Sequence, residues 1–253
     1  MAGPLSHIRV LDLSRILAGP WSTQMLGDMG AEVIKIENPH SGDDTRNWGP
    51  PFQKNEDGSD GDASYFHSTN RNKTSLFIDI TTKTGQTEIY DLVKNSDILV
   101  ENYKVGGLKK YGLDYQSLSI LNPEIIYCSI TGFGQSGPYA ERAGYDFMIQ
   151  AMGGLMSITG ESDENGGGPQ KVGVAIADLM TGMYATVGIL GALTHRDQTG
   201  EGQYIDLALL DCQIAMLANH TSNYLFDGKD RERHGNSHIS IVPYQNFKTD
   251  RKS

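Results

Sequence analysis

Residues 8–36, IRVLDLSRILAGPWSTQMLGDMGAEVIKI, contain the pattern that decides the fold. The segment Ile8–Leu13 alternates in polarity and is rich in aliphatic residues, which is typical of a strand. The pair Gly19-Pro20 leads into Trp21–Met29, for which we predict a short helix, and Glu32–Ile36 is predicted as a second strand. A strand, a helix and a strand in so short a segment indicate parallel strands joined by a helix.

The same order recurs farther along the chain. Further strands are predicted at Ser75–Ile80, Asp97–Val100, Ile125–Thr131 and Gln203–Leu207. Further helices are predicted at Thr84–Lys94, Leu113–Leu121, Leu179–Thr194 and Leu209–Leu225. Such alternation is typical of a mostly parallel sheet that helices cover on both faces. We therefore predict the α/β class, with a Rossmann-like, doubly wound sheet.

Two polar segments interrupt this order. Residues 40–62 are acidic, contain Gly49-Pro50-Pro51, and are predicted to be a surface excursion. Residues 161–169 contain three consecutive glycines and are interpreted as a solvated loop. The alternative for the second segment is a mobile lid beside a reacting centre, since glycines permit backbone motion.

Composition narrows the range of functions. The 253 residues include 21 basic and 31 acidic side chains, for a net charge of −10. This balance argues against general binding to nucleic acid or anionic membranes, although a locally basic pocket can still bind an anion. Cys128 and Cys212 are predicted to be buried free thiols in a reducing compartment. We find no uncharged apolar run long enough to cross a bilayer and no signal or transit peptide, which favours the cytosol or an organelle matrix.

Asp178 lies where an apolar stretch meets a predicted helix, in VGVAIADLMTGMY at residues 172–184. One helical face carries the large apolar residues Leu179, Met183, Val187, Leu190 and Leu193. A second ridge, which another backbone could approach closely, carries Gly182, Gly188 and Gly191. From the residues alone, Asp178 is either an N-cap, where Asp is favoured, or a reactive carboxylate.

Several other segments form an ordered set. They are residues 10–13 (VLDL), 17–20 (LAGP), 30–37 (GAEVIKIE), 70–73 (NRNK), 100–103 (VENY), 129–134 (SITGFG) and 199–203 (TGEGQ). With the Asp178 segment they resemble the family III CoA-transferases, and the resemblance covers nearly the whole chain. Residues 49–52, 126–132 and 241–245 most resemble the branch that acts on succinyl-CoA and glutarate.

The resemblance implies covalent catalysis by an aspartate. In this family a carboxylate attacks the acyl-CoA thioester to form a mixed anhydride, and the freed CoA then forms an aspartyl thioester that the acceptor acid resolves. Asp178 occupies the nucleophile position. We expect the N-terminus of its helix to keep the carboxylate ionised and lower its basicity, and free amides there to stabilise the oxyanion.

The resemblance also places Tyr145 and Asp146 at the active site, where a second carboxylate positions the acyl group. From sequence alone, Asp146 is equally well interpreted as a capping residue. Related racemases have a histidine base in place of Tyr145. Tyrosine, with an ordinary pKa of about 10, is a poor base at neutral pH, so racemase activity is disfavoured.

CoA carries several phosphate charges, so its site requires cations. The resemblance places Lys73, Asn102 and Tyr103 in the CoA groove, and Ile16 and Leu17 lie at the end of the first strand, where a doubly wound sheet binds its ligand. The predicted CoA site also includes Lys35, Asn38, Asn72 and Lys110, of which Lys35 and Lys110 are candidate cations. Further candidate cations are Arg71, Lys104, Lys109 and Arg142. CoA and acyl-CoA are expected as substrates, and no tightly bound cofactor is expected. Asn38 stands where many relatives have arginine and Val105 where proline is usual, so we expect the nucleotide contacts to differ here.

A dicarboxylic acceptor would require a cation for its remote carboxylate, and Arg15, Arg46 and Arg142 are the alternatives. No GxGxxG motif follows the first strand, which argues against a nicotinamide enzyme. His234 and His238 are four residues apart with Gly235 between them, a spacing and context that predict no metal site.

The resemblance further implies two structural units, a large CoA-binding domain at residues 1–208 and, at 209–253, a linker helix and the start of a small domain. Members of the family are longer and form interlocked homodimers, so we expect this chain to be a C-terminally truncated form. The alternative function is that of an inactive form that binds CoA or a longer partner. Relatives on the glutarate branch are mitochondrial, so the expected location is the mitochondrial matrix or the cytoplasm.

Overall fold

The computed structural model describes residues 3–249. Its strands are β1 (Arg9–Asp12), β2 (Glu32–Glu37), β3 (Phe52–Lys54), β4 (Asp60–Ala63), β5 (Lys73–Phe77), β6 (Ile98–Glu101), β7 (Ile126–Thr131) and β8 (Tyr204–Ala208). Its helices are α1 (Ala18–Asp28), α2 (Ser64–Thr69), α3 (Lys83–Val93), α4 (Tyr115–Leu121), α5 (Asp146–Met152), α6 (Leu155–Ile158), α7 (Ile176–Thr199), α8 (Leu209–Ala215) and α9 (Asn219–Asp227).

Six strands form one sheet in the order β5-β2-β1-β6-β7-β8. Every neighbouring pair in this sheet is parallel. The strand order reverses between β1 and β6, and in doubly wound sheets ligands bind in the crevice outside the carboxyl ends of the strands at such a point. The predicted α/β class and parallel, doubly wound sheet are confirmed.

Alternating side chains of the central strands face two separate cores. On one face, Val10 and Ile98 pack with residues of α1 and α7. On the other face, Leu11 and Leu99 pack with residues of α3 and α4. Because both faces are covered, the central strands are almost continuously apolar, as buried parallel strands are.

Helix α7 is the central helix of the first core. A Cβ atom at Gly182 would lie 2.7 Å from the carbonyl oxygen of Ala18, so the backbone of α1 approaches closely there, as predicted. At Gly188 the nearest neighbour is the Ile205 side chain, and at Gly191 there is open space, so the predicted ridge is wrong beyond Gly182. By length and composition, α7 is the one helix of residues 3–249 that could cross a membrane, but here it packs on α1, β7 and β8.

One prediction about secondary structure is wrong and another is confirmed. The single helix predicted at Leu209–Leu225 is divided into α8 and α9, because Ala218 has a φ of 46° that no helix can include. The segment 40–62 is largely exposed, as predicted for a surface excursion, and it contains a 3-10 turn at Asp44–Asn47 and most of the β3–β4 hairpin. The last residues of the predicted second unit, 250–253, lie outside the described residues.

Candidate active site

A cleft of 580 Å³ lies at the carboxyl ends of β1, β2, β6 and β7. Most of the predicted site residues line it, namely Ile16, Leu17, Lys35, Asn38, Asn102, Tyr103, Lys110, Tyr145, Asp146 and Asp178. These residues come from strand ends, loops and helix starts that are far apart in the sequence, and the parallel sheet brings them together because β1, β2, β6 and β7 end at the same edge.

Asp178 is the third residue of α7 and lines the cleft. The N-cap position belongs to Ala175, so the interpretation of Asp178 as an N-cap is wrong. The Asp178 side chain is partly buried and makes no hydrogen bond or ion pair with any other residue that the structure describes. A carboxylate in this position is available to a ligand in the cleft.

Asp146 caps the helix that carries Asp178. Its Oδ1 atom accepts the backbone N–H of Ala177 at 2.8 Å and that of Asp178 at 3.3 Å. Its Oδ2 atom accepts the side-chain amide of Gln150 at 2.7 Å. Asp146 is therefore a capping residue, but of a helix that begins 30 residues farther along the chain rather than of its own. The amides that we expected to be free for an oxyanion are occupied by Asp146.

The surroundings of Asp178 disfavour its charged form. Burial and the nearby Asp146 carboxylate raise the pKa of Asp178 to about 7. We expected the helix N-terminus to lower the basicity of this group, and that expectation is wrong. Desolvation and a like charge outweigh the helix dipole here, because the first amides of α7 already point at the Asp146 carboxylate.

The turn after β1 forms part of the cleft wall and is fixed by hydrogen bonds at Arg15 and Ile16. Ile16 has a φ of 72°, a left-handed conformation that is strained for a β-branched residue. Its amide donates to Asp43 at 3.2 Å, and the Asn102 side chain accepts the N–H of Arg15 and donates to its carbonyl. The Lys35 ammonium pairs with Asp43 at 2.9 Å. This network keeps the strained turn in place.

The structure gives Lys35 and Lys73 buried partners. The Lys35 side chain lines the cleft wall, but its ammonium is engaged by Asp43 and the Ser14 carbonyl. The Lys73 ammonium lies outside the cleft, 3.0 Å from Asp12 and 2.9 Å from the Pro20 carbonyl.

The pKa values of both Asp12 and Lys73 are shifted in this buried pair. Burial alone would raise the pKa of Asp12, but the two lysine charges and two hydroxyl donors lower it to about 2. Burial lowers the pKa of Lys73 to about 8, against the effect of the Asp12 charge.

Asn72 also lies away from the cleft, with its side chain donating to Asp28. The structure therefore does not bring Asn72 and Lys73 to the cleft.

The candidate cations differ in their availability. Lys104, Lys110 and Arg142 line the cleft, are exposed, and have no carboxylate partner among residues 3–249. Arg15 lines the cleft but pairs with Asp44. Arg46 is held by Glu37 and Asp62, Arg71 is held by Asp28, and Lys109 does not line the cleft.

The remaining predicted residues have local contacts. Tyr145 precedes α5 and is 69% exposed. Asn38 accepts the amides of His40 and Ser41, which shapes the turn after β2. The Tyr103 amide donates to the Glu101 carboxylate, and burial raises the pKa of Glu101 to about 7.

Two other regions lie outside the cleft. The glycine-rich loop 161–169 does not line it, and the Arg233 side chain holds this loop by donating to the Glu161 carbonyl and pairing with Asp163. That position favours the interpretation as a solvated loop over a lid. A second cavity of 320 Å³ contains His234 and His238, and no cluster able to hold a metal ion is found among residues 3–249.

Sequence reasoning missed Asp43 and Gln150. Asp43 lies in a polar segment with several other carboxylates, and nothing local distinguishes it. Gln150 follows Asp146 by four residues, the spacing at which helical side chains meet, and this signal could have identified the pair. Cys128 and Cys212 are both buried and free, as predicted.

Comparisons with known proteins agree with this architecture. The family model described as CoA-transferase family III matches residues 5–252. Succinate–glutarate CoA-transferase of Agrobacterium fabrum is 57% identical over 242 residues, which are 96% of this chain and 60% of that protein. The human succinyl-CoA:glutarate CoA-transferase is 48% identical over 246 residues, 97% of this chain and 54% of that protein.

A solved structure is also similar. The crystal structure of a CAIB/BAIF family protein from Brucella suis superimposes with a TM-score of 0.91 at 55% sequence identity. The superposition covers 97% of this chain and 63% of the Brucella chain. The chain thus spans less than two thirds of the length of these relatives.

Proposed function

Because the chain belongs to CoA-transferase family III, we propose that it carries the nucleophile and the CoA cleft of an enzyme that moves CoA from succinyl-CoA or a similar acyl-CoA to a carboxylic acid such as glutarate. The names of the relatives support this donor and this acceptor. One observation carries the proposal. Asp178 lies in the first turn of α7, has no side-chain partner among residues 3–249, and lines a cleft large enough for part of an acyl-CoA.

The first half of the reaction transfers CoA to the protein. An Asp178 oxygen attacks the thioester carbon, the carbon–sulfur bond breaks, and CoA leaves as the thiolate with the electron pair. The product is a mixed anhydride between Asp178 and the donor acid. The thiolate then attacks Cγ of Asp178, and the donor acid leaves as a carboxylate with the bridging oxygen. Asp178 is now a CoA thioester.

The second half repeats these steps in reverse with another acid. The acceptor carboxylate attacks Cγ of the Asp178 thioester and releases the CoA thiolate. The thiolate attacks the acceptor carbonyl carbon of the new anhydride, which gives the new acyl-CoA and restores the Asp178 carboxylate. No proton is gained or lost over the cycle, so the chemistry requires an ionised carboxylate rather than a general base.

The environment of Asp178 suits a nucleophile of this kind. Its carboxylate has no hydrogen bond among the described residues, and burial and Asp146 raise its pKa to about 7. A carboxylate that its surroundings stabilise less is more basic and attacks a carbonyl carbon more readily. With its pKa near neutrality, Asp178 has both the protonated and the ionised form at neutral pH.

The exposed cations of the cleft give CoA and the acceptor distinct partners. We assign the CoA phosphates to Lys104 and Lys110, which both follow β6, line the cleft and have no carboxylate partner among the described residues. We assign the remote carboxylate of the acceptor to Arg142. Its guanidinium stacks on Tyr139 at 4.3 Å and pairs with no carboxylate in the described part of the chain, whereas Arg46 is fixed in an ion-pair network.

Mass spectrometry tests the proposal directly. The chain is incubated with succinyl-CoA and digested, and the peptide containing Asp178 is examined for a covalent CoA adduct. We expect an adduct on this peptide and none in Asp178→Asn. The matched control is Asp197→Asn, an exposed aspartate on the same helix, which should form the adduct normally.

Other outcomes would favour other interpretations. An adduct on Asp146, or one retained in Asp178→Asn, would contradict Asp178 as the nucleophile. CoA binding without any adduct would favour the inactive, CoA-binding form. The homodimer and the role of Tyr145 stay predictions.

A further inference from the structure

Gln150 is a fully buried glutamine that bridges two segments of the active site. It is 0% exposed and lies on α5, one turn after Asp146. Its Nε2 atom donates to Asp146 Oδ2 at 2.7 Å, and its Oε1 atom accepts the amide of Val172 at 2.9 Å. A buried amide requires partners for both of its ends, and this one has them.

The orientation of the Gln150 amide follows from its partners. The Val172 amide can only donate, so it must face the Gln150 oxygen. The NH2 group is then left for the Asp146 carboxylate, which accepts. A reversed side chain would place two donors against each other at Val172, so this orientation is the one that both partners allow.

Through these two hydrogen bonds Gln150 connects Asp146 to the segment that leads into the helix of Asp178. On one side it holds Asp146, whose other oxygen caps Ala177 and Asp178. On the other side it holds the segment that leads from Val172 into α7. The distance between the Asp146 and Asp178 carboxylates therefore depends on a side chain that does not line the cleft.

We infer that Gln150 is a positioning residue, which fixes the Asp146 carboxylate against the first turn of α7 and so sets the placement and protonation of Asp178. This inference rests on the proposed function for its effect on transfer, but its geometry can be tested without turnover. It also predicts why the residue is an amide: a neutral side chain can donate to one site and accept at the other without adding charge.

The informative variant is Gln150→Glu. When protonated, the introduced carboxyl can still donate to Asp146 and accept from Val172, so the variant keeps both bonds at low pH. When ionised, it repels Asp146 and adds a negative charge near Asp178. We expect the Asp178 carboxyl, observed by carbon-13 NMR on the substrate-free chain, to titrate at least about 0.5 pH units higher than in the wild type.

Gln150→Met separates positioning from substrate binding. It keeps the size of the side chain but removes both hydrogen bonds. We expect the maximal rate of adduct formation at Asp178 to fall at least about tenfold, because small misplacements of reacting groups slow a reaction strongly. The succinyl-CoA concentration for half-maximal rate should change less than about twofold, since Lys104 and Lys110, to which we assign the CoA phosphates, lie on another loop of the cleft.

Gln24 provides the matched control. It is also 0% exposed, and it bridges the Ser68 carbonyl and the Arg71 amide away from the cleft. Gln24→Glu and Gln24→Met should reduce stability in the same way as the Gln150 variants, yet leave Asp178 titration and the adduct rate unchanged. Equal effects at both sites would show a general loss of stability and overturn the inference.

The two proposals fail in different ways. If the wild type forms no adduct but the titration of Asp178 shifts in the uncharged variant Gln150→Met and not in Gln24→Met, the proposed function fails and the positioning role stands. If the adduct forms and neither Asp178 titration nor the adduct rate responds to the Gln150 variants, the positioning role fails and the proposed function stands.

Discussion

The Oδ1 atom of Asp146 accepts the backbone N–H of Asp178 at 3.3 Å, so one carboxylate caps the helix whose first turn carries the other. The cap orders the start of α7 and at the same time places a like charge beside Asp178. An ordered helix N-terminus favours the charged form of Asp178, whereas the Asp146 charge and burial disfavour it. Burial and the like charge prevail, since they raise the pKa of Asp178 to about 7. The pair therefore couples the structure of the site to its protonation.

The first prediction concerns the pH dependence of transfer. Because Asp178 must be ionised to act as the nucleophile that we propose, kcat/KM should rise with pH through a midpoint near 7, the pKa of Asp178. Asp146→Asn keeps an oxygen for the amides of α7 but removes the like charge, so the midpoint should move to lower pH by roughly one unit. The measurement is the kcat/KM profile from pH 5 to 9.

A suitable control for this prediction is Asp114→Asn. Asp114 caps α4 through the amide of Ser117, away from the cleft, so its replacement alters a cap without altering the charge near Asp178. Its profile should match that of the wild type. A midpoint that stays fixed in Asp146→Asn, or moves to higher pH, would contradict the coupling.

The second prediction concerns stability. The pKa of Asp178 is raised by folding, so its contribution to stability is full below its ordinary pKa of 3.8 and is lost as the pH rises from about 4 through 7. Asn resembles the neutral acid at every pH. Asp178→Asn should therefore match the wild type only below about pH 4, and its advantage in stability should grow steadily from pH 5 to pH 8, by about 2 kcal/mol over that interval.

Thermal melts at pH 5, 6, 7 and 8 measure this difference. Asp197→Asn is again the reference, because its side chain is exposed on the same helix and should give the same small change at each pH. A difference in Asp178→Asn that is constant with pH would show that the carboxyl does not titrate between 4 and 8 in the folded chain.

The third prediction compares two glycines of α7. Gly182→Ala places a Cβ atom 2.7 Å from the Ala18 carbonyl oxygen, which is backbone and cannot move aside, so it should reduce the free energy of unfolding by about 1–3 kcal/mol. Gly191→Ala meets nothing within 4 Å and should increase it by about 0.5–1 kcal/mol, because glycine is unfavourable in a helix. Urea denaturation of both variants measures the two changes.

The two substitutions are expected to change the free energy of unfolding in opposite directions, which a general effect of adding a methyl group cannot produce. Both substitutions add one methyl group to the same helix, so helix propensity acts equally in both. Stabilisation by Gly182→Ala would show that α1 and α7 are farther apart than the structure has them.

The sheet could be predicted from the sequence because its determinants are local. Strands such as β1 and β7 are short aliphatic runs, and each helix between them has its own periodic pattern. The break between α8 and α9 could not be predicted in this way. The helical pattern continues through Ala218, and no glycine or proline marks the residue whose φ is 46°.

The position of the site could be predicted in outline, but its chemistry could not. The strand ends locate the cleft, and Asp178 stands at the start of a long helix that the sequence shows. The cap on that helix comes from Asp146, 32 residues from Asp178, and such a contact leaves no local pattern. The pKa of Asp178 depends on that contact and on burial, so the sequence suggested the wrong direction.

The last prediction concerns Lys73, which the resemblance assigns to CoA and the structure buries against Asp12. Lys73→Met should lower the free energy of unfolding by about 3–5 kcal/mol, because the Asp12 carboxylate loses its cation, and Asp12→Asn in the same chain should restore part of this loss. Where the variant is folded, its Kd for CoA should equal that of the wild type. The exposed Lys110 should behave in the opposite way, with Lys110→Met weakening CoA binding and leaving stability nearly unchanged. Weaker CoA binding in folded Lys73→Met would show that Lys73 contributes to the CoA site.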